Sequence, residues 1–258
     1  MARNWMRWLG LATAGAVSAV GVAVATAPAS WADLALRRAS YDRVRLADAT
    51  GTLWQGEGRL VLLDGSPGAE VAEGFALPGP VRWELRALAL LAGMVDATVS
   101  VPGMARPIRV NGSLAEWRIE AGSVDLPSAQ LSRLGSPWNT IQPSAMLGLR
   151  WDALSIRPGN FEGRMAIDLA DVSSAMTPVR PLGTYRVDVL ASGRTVDLKL
   201  STVSGALNLQ GSGRWDQRSG LRFNAQARGE GADRARLQSL LGLIGQREGD
   251  RTMIRIGG

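Results

Sequence analysis

Apolar and polar residues alternate with a period of two through most of this chain. Val95, Ala97, Val99 and Val101 alternate with Asp96, Thr98 and Ser100, and Phe161, Gly163, Met165, Ile167 and Leu169 alternate with Glu162, Arg164, Ala166 and Asp168. Tyr185, Val187 and Val189 repeat the pattern, as do Val196, Leu198 and Leu200, and again Leu221, Phe223, Ala225 and Ala227. Successive strand side chains point to opposite faces, so this spacing predicts antiparallel strands with one apolar face and one polar face. Gly211 and Gly213 fall inside such a run and predict bulges or sharp bends. A last strand is predicted over 252–256.

Helical spacing is scarce. Leu237, Leu240, Leu241 and Ile244 stand at i, i+3, i+4 and i+7, which predicts a helix from an N-cap at Asp233 to Gly245. Residues 87–91 read as a brief apolar turn and 127–134 as a second short helix. Over 28–40, Trp31 and Leu34 with Arg37 and Arg38 at the end predict an amphipathic helix lying at a membrane surface.

The front of the chain differs from all of this. No charged residue occurs between Trp8 and Ala32, and 8–27 is long enough for a helix of about 30 Å, one bilayer core. Trp8, Leu9, Leu11, Val17, Val20, Val22 and Val24 form its apolar body. Arg3 and Arg7 on one side place the N-terminus in the cytoplasm. A cleaved signal peptide is the competing reading, with Ala27-Pro28-Ala29 as an A-x-A-like site. The division expected is a cytoplasmic tail over 1–7, a transmembrane anchor over 8–27, a juxtamembrane segment over 28–40 and a periplasmic β domain over 41–258. The fold class is mainly β: one transmembrane helix, then a curved antiparallel domain, closed as a sandwich or barrel or left as a groove, with a few short helices.

Composition narrows the chemistry. Among 258 residues there is no cysteine and no histidine, which removes disulfides, thiolate or imidazole metal ligands, and histidine-based triads. No catalytic, cofactor or metal residue is expected. The net charge is +6, and all 29 cations are arginine except Lys199. The arginines alternate with acids along strands and do not cluster, which argues against nucleic acid and for a solvated strand face. Acidic pairs such as Asp168 with Asp171, or Glu116 with Glu120, have nothing to gather them around a cleft.

Candidate partner contacts are Thr52, Trp54, Gly56, Trp83 and Trp151. Tryptophan is enriched at interface hot spots, although packing beneath a glycine bend explains Trp54 as well. Arg82-Trp83, Arg150-Trp151 and Arg214-Trp215 recur along the chain, and strand alternation places each tryptophan inward and each arginine outward. A loose internal echo links 51–58 with 205–213.

Several stretches resemble the type II secretion system protein N family, also called general secretion pathway protein N. They are 46–56 (LADATGTLWQG), 79–86 (GPVRWELR) with 88–91 (LALL), 139–143 (NTIQP), 149–152 (LRWD) and 240–250 (LLGLIGQREGD). Their order covers nearly the whole chain. The resemblance implies an inner-membrane protein with a periplasmic β domain, a non-enzymatic accessory part of the machine that moves folded proteins across the outer membrane. Its partners would be the other subunits of that machine and the membrane. The family brings no catalytic or ligand residue to carry over. The alternative from another class is a periplasmic protein holding lipid or lipoprotein in a groove on an uncovered apolar sheet face.

Overall fold

The computed structural model describes residues 21–63, 75–130, 142–216 and 218–257. Trp8, Leu9, Leu11, Val17 and Val20 lie outside the described residues. Residues 21–25 are helical, with Val22 and Val24 exposed. Among the described residues no helix is long and apolar enough to cross a membrane.

Seventeen strands form one antiparallel sheet. They are β1 (Val44–Gly51), β2 (Gln55–Leu62), β3 (Phe75–Ala76), β4 (Val81–Leu85), β5 (Val95–Ser100), β6 (Ile108–Gly112), β7 (Trp117–Ile119), β8 (Gly122–Gln130) and β9 (Pro143–Trp151). There follow β10 (Leu154–Arg157), β11 (Asn160–Ser174), β12 (Gly183–Gly193), β13 (Thr195–Gly205), β14 (Leu207–Asp216), β15 (Gly220–Gly229), β16 (Gln246–Glu248) and β17 (Arg251–Ile256). Beyond the helical turn at 21–25, the described residues also form α1 (Ser30–Ser40), α2 (Ala87–Leu91) and α3 (Gln238–Ile244).

The topology is a meander. β3 with β4, β7 with β8, and β9 with β10 lie end to end as interrupted strands, so neighbours in sequence are neighbours in the sheet until β17 inserts between β15 and β16. β1 and β16 are the two edges and do not pair, so the sheet is open. Fourteen strand positions spaced about 4.8 Å apart give a sheet roughly 60 Å wide.

One face is apolar in unbroken register. Leu149, Ile167, Val187 and Leu200 are successive partners across β9, β11, β12 and β13. The largest cluster of buried apolar side chains among the described residues sits at one corner of this face. There Val179, Leu182, Leu207 and Ala227 meet Leu237 and Leu240 at the start of α3. Burial pushes the Tyr185 phenol well above its usual range, so its hydroxyl stays protonated and donates to the Leu207 carbonyl at 2.8 Å.

The β1 edge is covered. α1 packs along it, the Asp33 carboxylate accepts from the Leu46 amide at 2.7 Å, and the Ser40 hydroxyl accepts from the Val44 amide at 3.0 Å. These are the outward amides that would otherwise invite another strand.

Three expectations change. Gly211 and Gly213 carry no bulge: β14 and β15 stay in register from Leu207↔Gly229 to Asp216↔Gly220. Their missing side chains leave room for the Ala225 methyl and the Phe223 ring on the next strand. Register shifts lie elsewhere: Asp48 and Asp171, with φ 54° and 51°, interrupt β1 and β11, and further shifts fall at Thr184 in β12 and after Leu126 in β8. Residues 127–130 belong to β8, held by the pairing of Ala129 with Ala145, and 131–134 lie outside the described residues. Asp233 caps no α-helix: Gly231–Asp233 is a 3-10 turn, and α3 starts only at Gln238. The leucine spacing is nonetheless correct, because Leu237 and Leu240 are its buried positions.

Candidate functional site

The signature stretch 46–56 runs from β1 through the β1–β2 turn to the start of β2. Thr52 shapes that turn: its amide donates to the Gln55 carbonyl at 2.8 Å and its hydroxyl accepts from the Gln55 amide at 3.1 Å. The incoming segment is bound to this same turn. The Ala29 amide donates to the Gly51 carbonyl at 3.2 Å, the Leu53 amide to the Ala27 carbonyl at 2.8 Å, and Pro28 bridges Thr52. The Trp54 indole N–H donates to the Val24 carbonyl at 2.8 Å, reaching into the helical turn at 21–25.

A second tryptophan holds the turn from behind. Trp83 of β4 lies across Gly56 and donates its indole N–H to the Leu53 carbonyl at 3.0 Å. A β-carbon at Gly56 would stand 2.5 Å from Trp83 Cζ2 and 2.6 Å from the Thr50 carbonyl oxygen, so no side chain fits there. Four of the candidate residues, Thr52, Trp54, Gly56 and Trp83, therefore form one seat for the incoming segment.

Trp151 is elsewhere. It lies over Gly122 of β8 and donates to the Glu120 carbonyl at 2.9 Å, bridging the break between β7 and β8. The sequence shows the tryptophans but not their glycine counterparts, which sit on neighbouring strands at separations of 27 and 29 residues. Placing an aromatic ring over a cross-strand glycine stabilises a position that would otherwise be weak. The echo between 51–58 and 205–213 has modest content: each runs from a hairpin turn into a strand, at opposite rims of the sheet.

The arginines of the Arg-Trp pairs point to the polar face and each meets an acid of the adjacent strand. Arg82 meets Glu57 at 3.1 Å, Arg214 meets Asp197 at 2.6 Å, and Arg150 meets Asp168. Arg186 also reaches Asp168, at 2.7 Å, and Glu116 is shared between Arg118 at 3.1 Å and Arg157 at 3.0 Å. Of the acids considered as pairs, Asp168 and Glu116 are thus engaged by guanidinium groups, and Glu120 accepts from the Arg109 amide at 3.2 Å. Among the described residues no group of three acids could hold a metal ion.

Hydrogen bonds from Arg186 and then Arg150 hold the Asp168 carboxyl below the usual carboxylate range, against an opposing effect of burial. A depressed folded value means that the ladder contributes its stability above the ordinary aspartate range and loses it as pH falls through the folded value. Asp168→Asn is therefore expected to be slightly destabilising at neutral pH, with the gap to the natural protein closing in acid. Urea unfolding at pH 7 and pH 3 measures both gaps, and an unchanged gap would contradict the assignment.

On β9 to β17 the polar face is concave. It forms an open groove of about 1630 Å³, with Arg164, Asp188, Lys199, Ser212 and Arg222 on its successive strands. Five cations and three aspartates line it, and Arg164, Lys199 and Arg222 make no ion pair among the described residues. This groove opens on the polar face, opposite to where an acyl-chain groove was expected.

A family model described as type II secretion system protein N matches residues 42–255. The chain belongs to this family. No curated protein and no solved structure matches it. Membership gives the protein an accessory part in type II secretion, among the other components of that system. The match begins just after α1, ahead of the two strands that form the seat, and runs into β17.

Proposed function

We propose that this family member is a single-pass inner-membrane protein, its N-terminus cytoplasmic and its β domain periplasmic. In this reading it acts without catalysis, as a scaffold for the other subunits of the secretion machine. The observation that carries the reading is the seat at the β1–β2 turn, which ties residues 24–29 of the uncharged run to the sheet through two backbone hydrogen bonds and the Trp54 indole, while Trp83 holds the turn itself. A tether fixed this firmly gives the sheet a defined position relative to the bilayer, which a scaffold needs and a freely diffusing domain does not. The cationic groove on β9 to β17 adds a surface suited to an acidic partner segment.

Deleting the gene is expected to leave folded exoproteins in the periplasm while their export across the inner membrane continues. In-cell crosslinking from the polar face, through a photoreactive residue at Lys199, is expected to capture another secretion subunit. Normal exoprotein secretion in the deletion strain would overturn the role, and absence of any crosslink to a secretion subunit would overturn the scaffold.

A further inference from the structure

Antiparallel hairpins place alternate turns on opposite rims of the sheet. The rim that receives the incoming segment carries the β1–β2 turn, α2, and the β6–β7, β10–β11, β12–β13 and β14–β15 turns, and β17 ends there. Loop tips facing water are ordinarily polar. On this rim Leu88, Leu91 and Leu114 are 80, 86 and 100 % exposed. Met94 beside α2 is also exposed, Leu221 and Ile256 stand exposed at the far corner, and Val22 and Val24 join from the incoming segment.

These residues come from separate hairpins. They form a line along one rim and no pocket. A protein partner would meet such a line in patches, whereas a flat apolar phase meets all of it at once. Two cations accompany the line: Arg194 and Arg218 tip the β12–β13 and β14–β15 turns, on either side of the Asp216 carboxylate whose charge they favour. Guanidinium groups at that height suit the phosphates of a lipid headgroup layer. Among the described residues the opposite rim also has exposed apolar residues: Tyr41 and Val203 are each flanked by polar neighbours, and Leu243 and Met176 are only about half exposed.

We propose that this rim rests on the lipid bilayer. Leu88, Leu91, Met94 and Leu114 dip to the boundary between headgroups and acyl chains beside the incoming segment, and the sheet stands away from the membrane as a wall. The inference rests on the membrane anchoring proposed above and adds a second, independent contact. It explains why a five-residue helix of apolar sequence sits between β4 and β5 with its leucines unburied.

The chain has no cysteine, so single-cysteine variants of the full-length protein report one position each. Leu91→Cys, Leu114→Cys, Tyr41→Cys and Val203→Cys, each carrying an environment-sensitive fluorophore, are reconstituted in vesicles of phosphatidylethanolamine and phosphatidylglycerol. Labels at Leu91 and Leu114 are expected to be blue-shifted and quenched by lipid-borne nitroxides about fivefold or more above those at Tyr41 and Val203. Equal quenching at all four positions would overturn the proposal. Blue-shifted labels that lipid nitroxides fail to quench would also overturn it, because protein would then cover the rim. An alkaline carbonate wash of the same vesicles reads the anchoring separately, so a lost anchor and a dry rim give different results.

Discussion

Leu240→Ala is expected to lower the free energy of unfolding by about 2–5 kcal/mol, the range for emptying a fully buried leucine site. Leu240 is 1 % exposed and packs with Leu237, Val179, Leu182, Leu207 and Ala227. Other buried residues, such as Val61 and Leu126, lie on distant strands and make no contact with this cluster that could compensate. The loss would be a large fraction of an ordinary domain's total stability of about 5–15 kcal/mol. α3 is short and has no side-chain cap at its start, so its position depends on the leucines that it buries. Leu243→Ala, on the same helix but 53 % exposed, is the matched control and is expected to shift stability by under about 0.5 kcal/mol. Urea unfolding of the full chain in mild detergent, followed by tryptophan fluorescence, separates the two. Equal shifts would mean that the corner cluster is not the core.

The strands were legible because period-two alternation is a local signal: Val95 to Ser100 and Tyr185 to Val189 fall in β5 and β12 as expected. Three features were not, and each has a non-local cause. Gly211 and Gly213 read as bends because the sequence does not show that Phe223 and Ala225 are their neighbours across the strand gap. The sheet's failure to close depends on β1 and β16 having no common partner, and nothing within either strand states that. Leu88 and Leu114 are 26 residues apart and look like unrelated loop leucines until the meander brings them to one rim. Trp54 and Trp83 were identified as candidates by residue type alone. Their shared task, holding the β1–β2 turn and the chain that enters it, appears only when their indole partners Val24 and Leu53 are known.

That shared task makes Gly56→Val the most informative single change. The valine Cβ would fall 2.5 Å from Trp83 Cζ2 and 2.6 Å from the Thr50 carbonyl, and backbone cannot yield as a flexible side chain can. Trp83 must then leave, and with it the bond to the Leu53 carbonyl. Overpacking costs about 1–3 kcal/mol, and a carbonyl left without its donor adds about 1 kcal/mol or more, so a total loss near 2–4 kcal/mol is expected. Trp83→Phe keeps the ring over Gly56 and removes only the donor, so its expected cost is about 0.5–1.5 kcal/mol. Trp54→Phe removes the bond to Val24 and leaves the turn intact, so it should loosen the incoming segment with little effect on global stability. Limited proteolysis between Ala27 and Trp31 reads that loosening directly. Cleavage should rise in the order Trp83→Phe or Trp54→Phe, then Gly56→Val. If Gly56→Val unfolds the sheet no more easily than Trp83→Phe, and leaves the 27–31 segment as protected as in the natural protein, the seat does not couple tether to sheet. The scaffold reading would then lose its structural basis, because a sheet free to swing on its tether cannot present one rim to the bilayer and one groove to a partner.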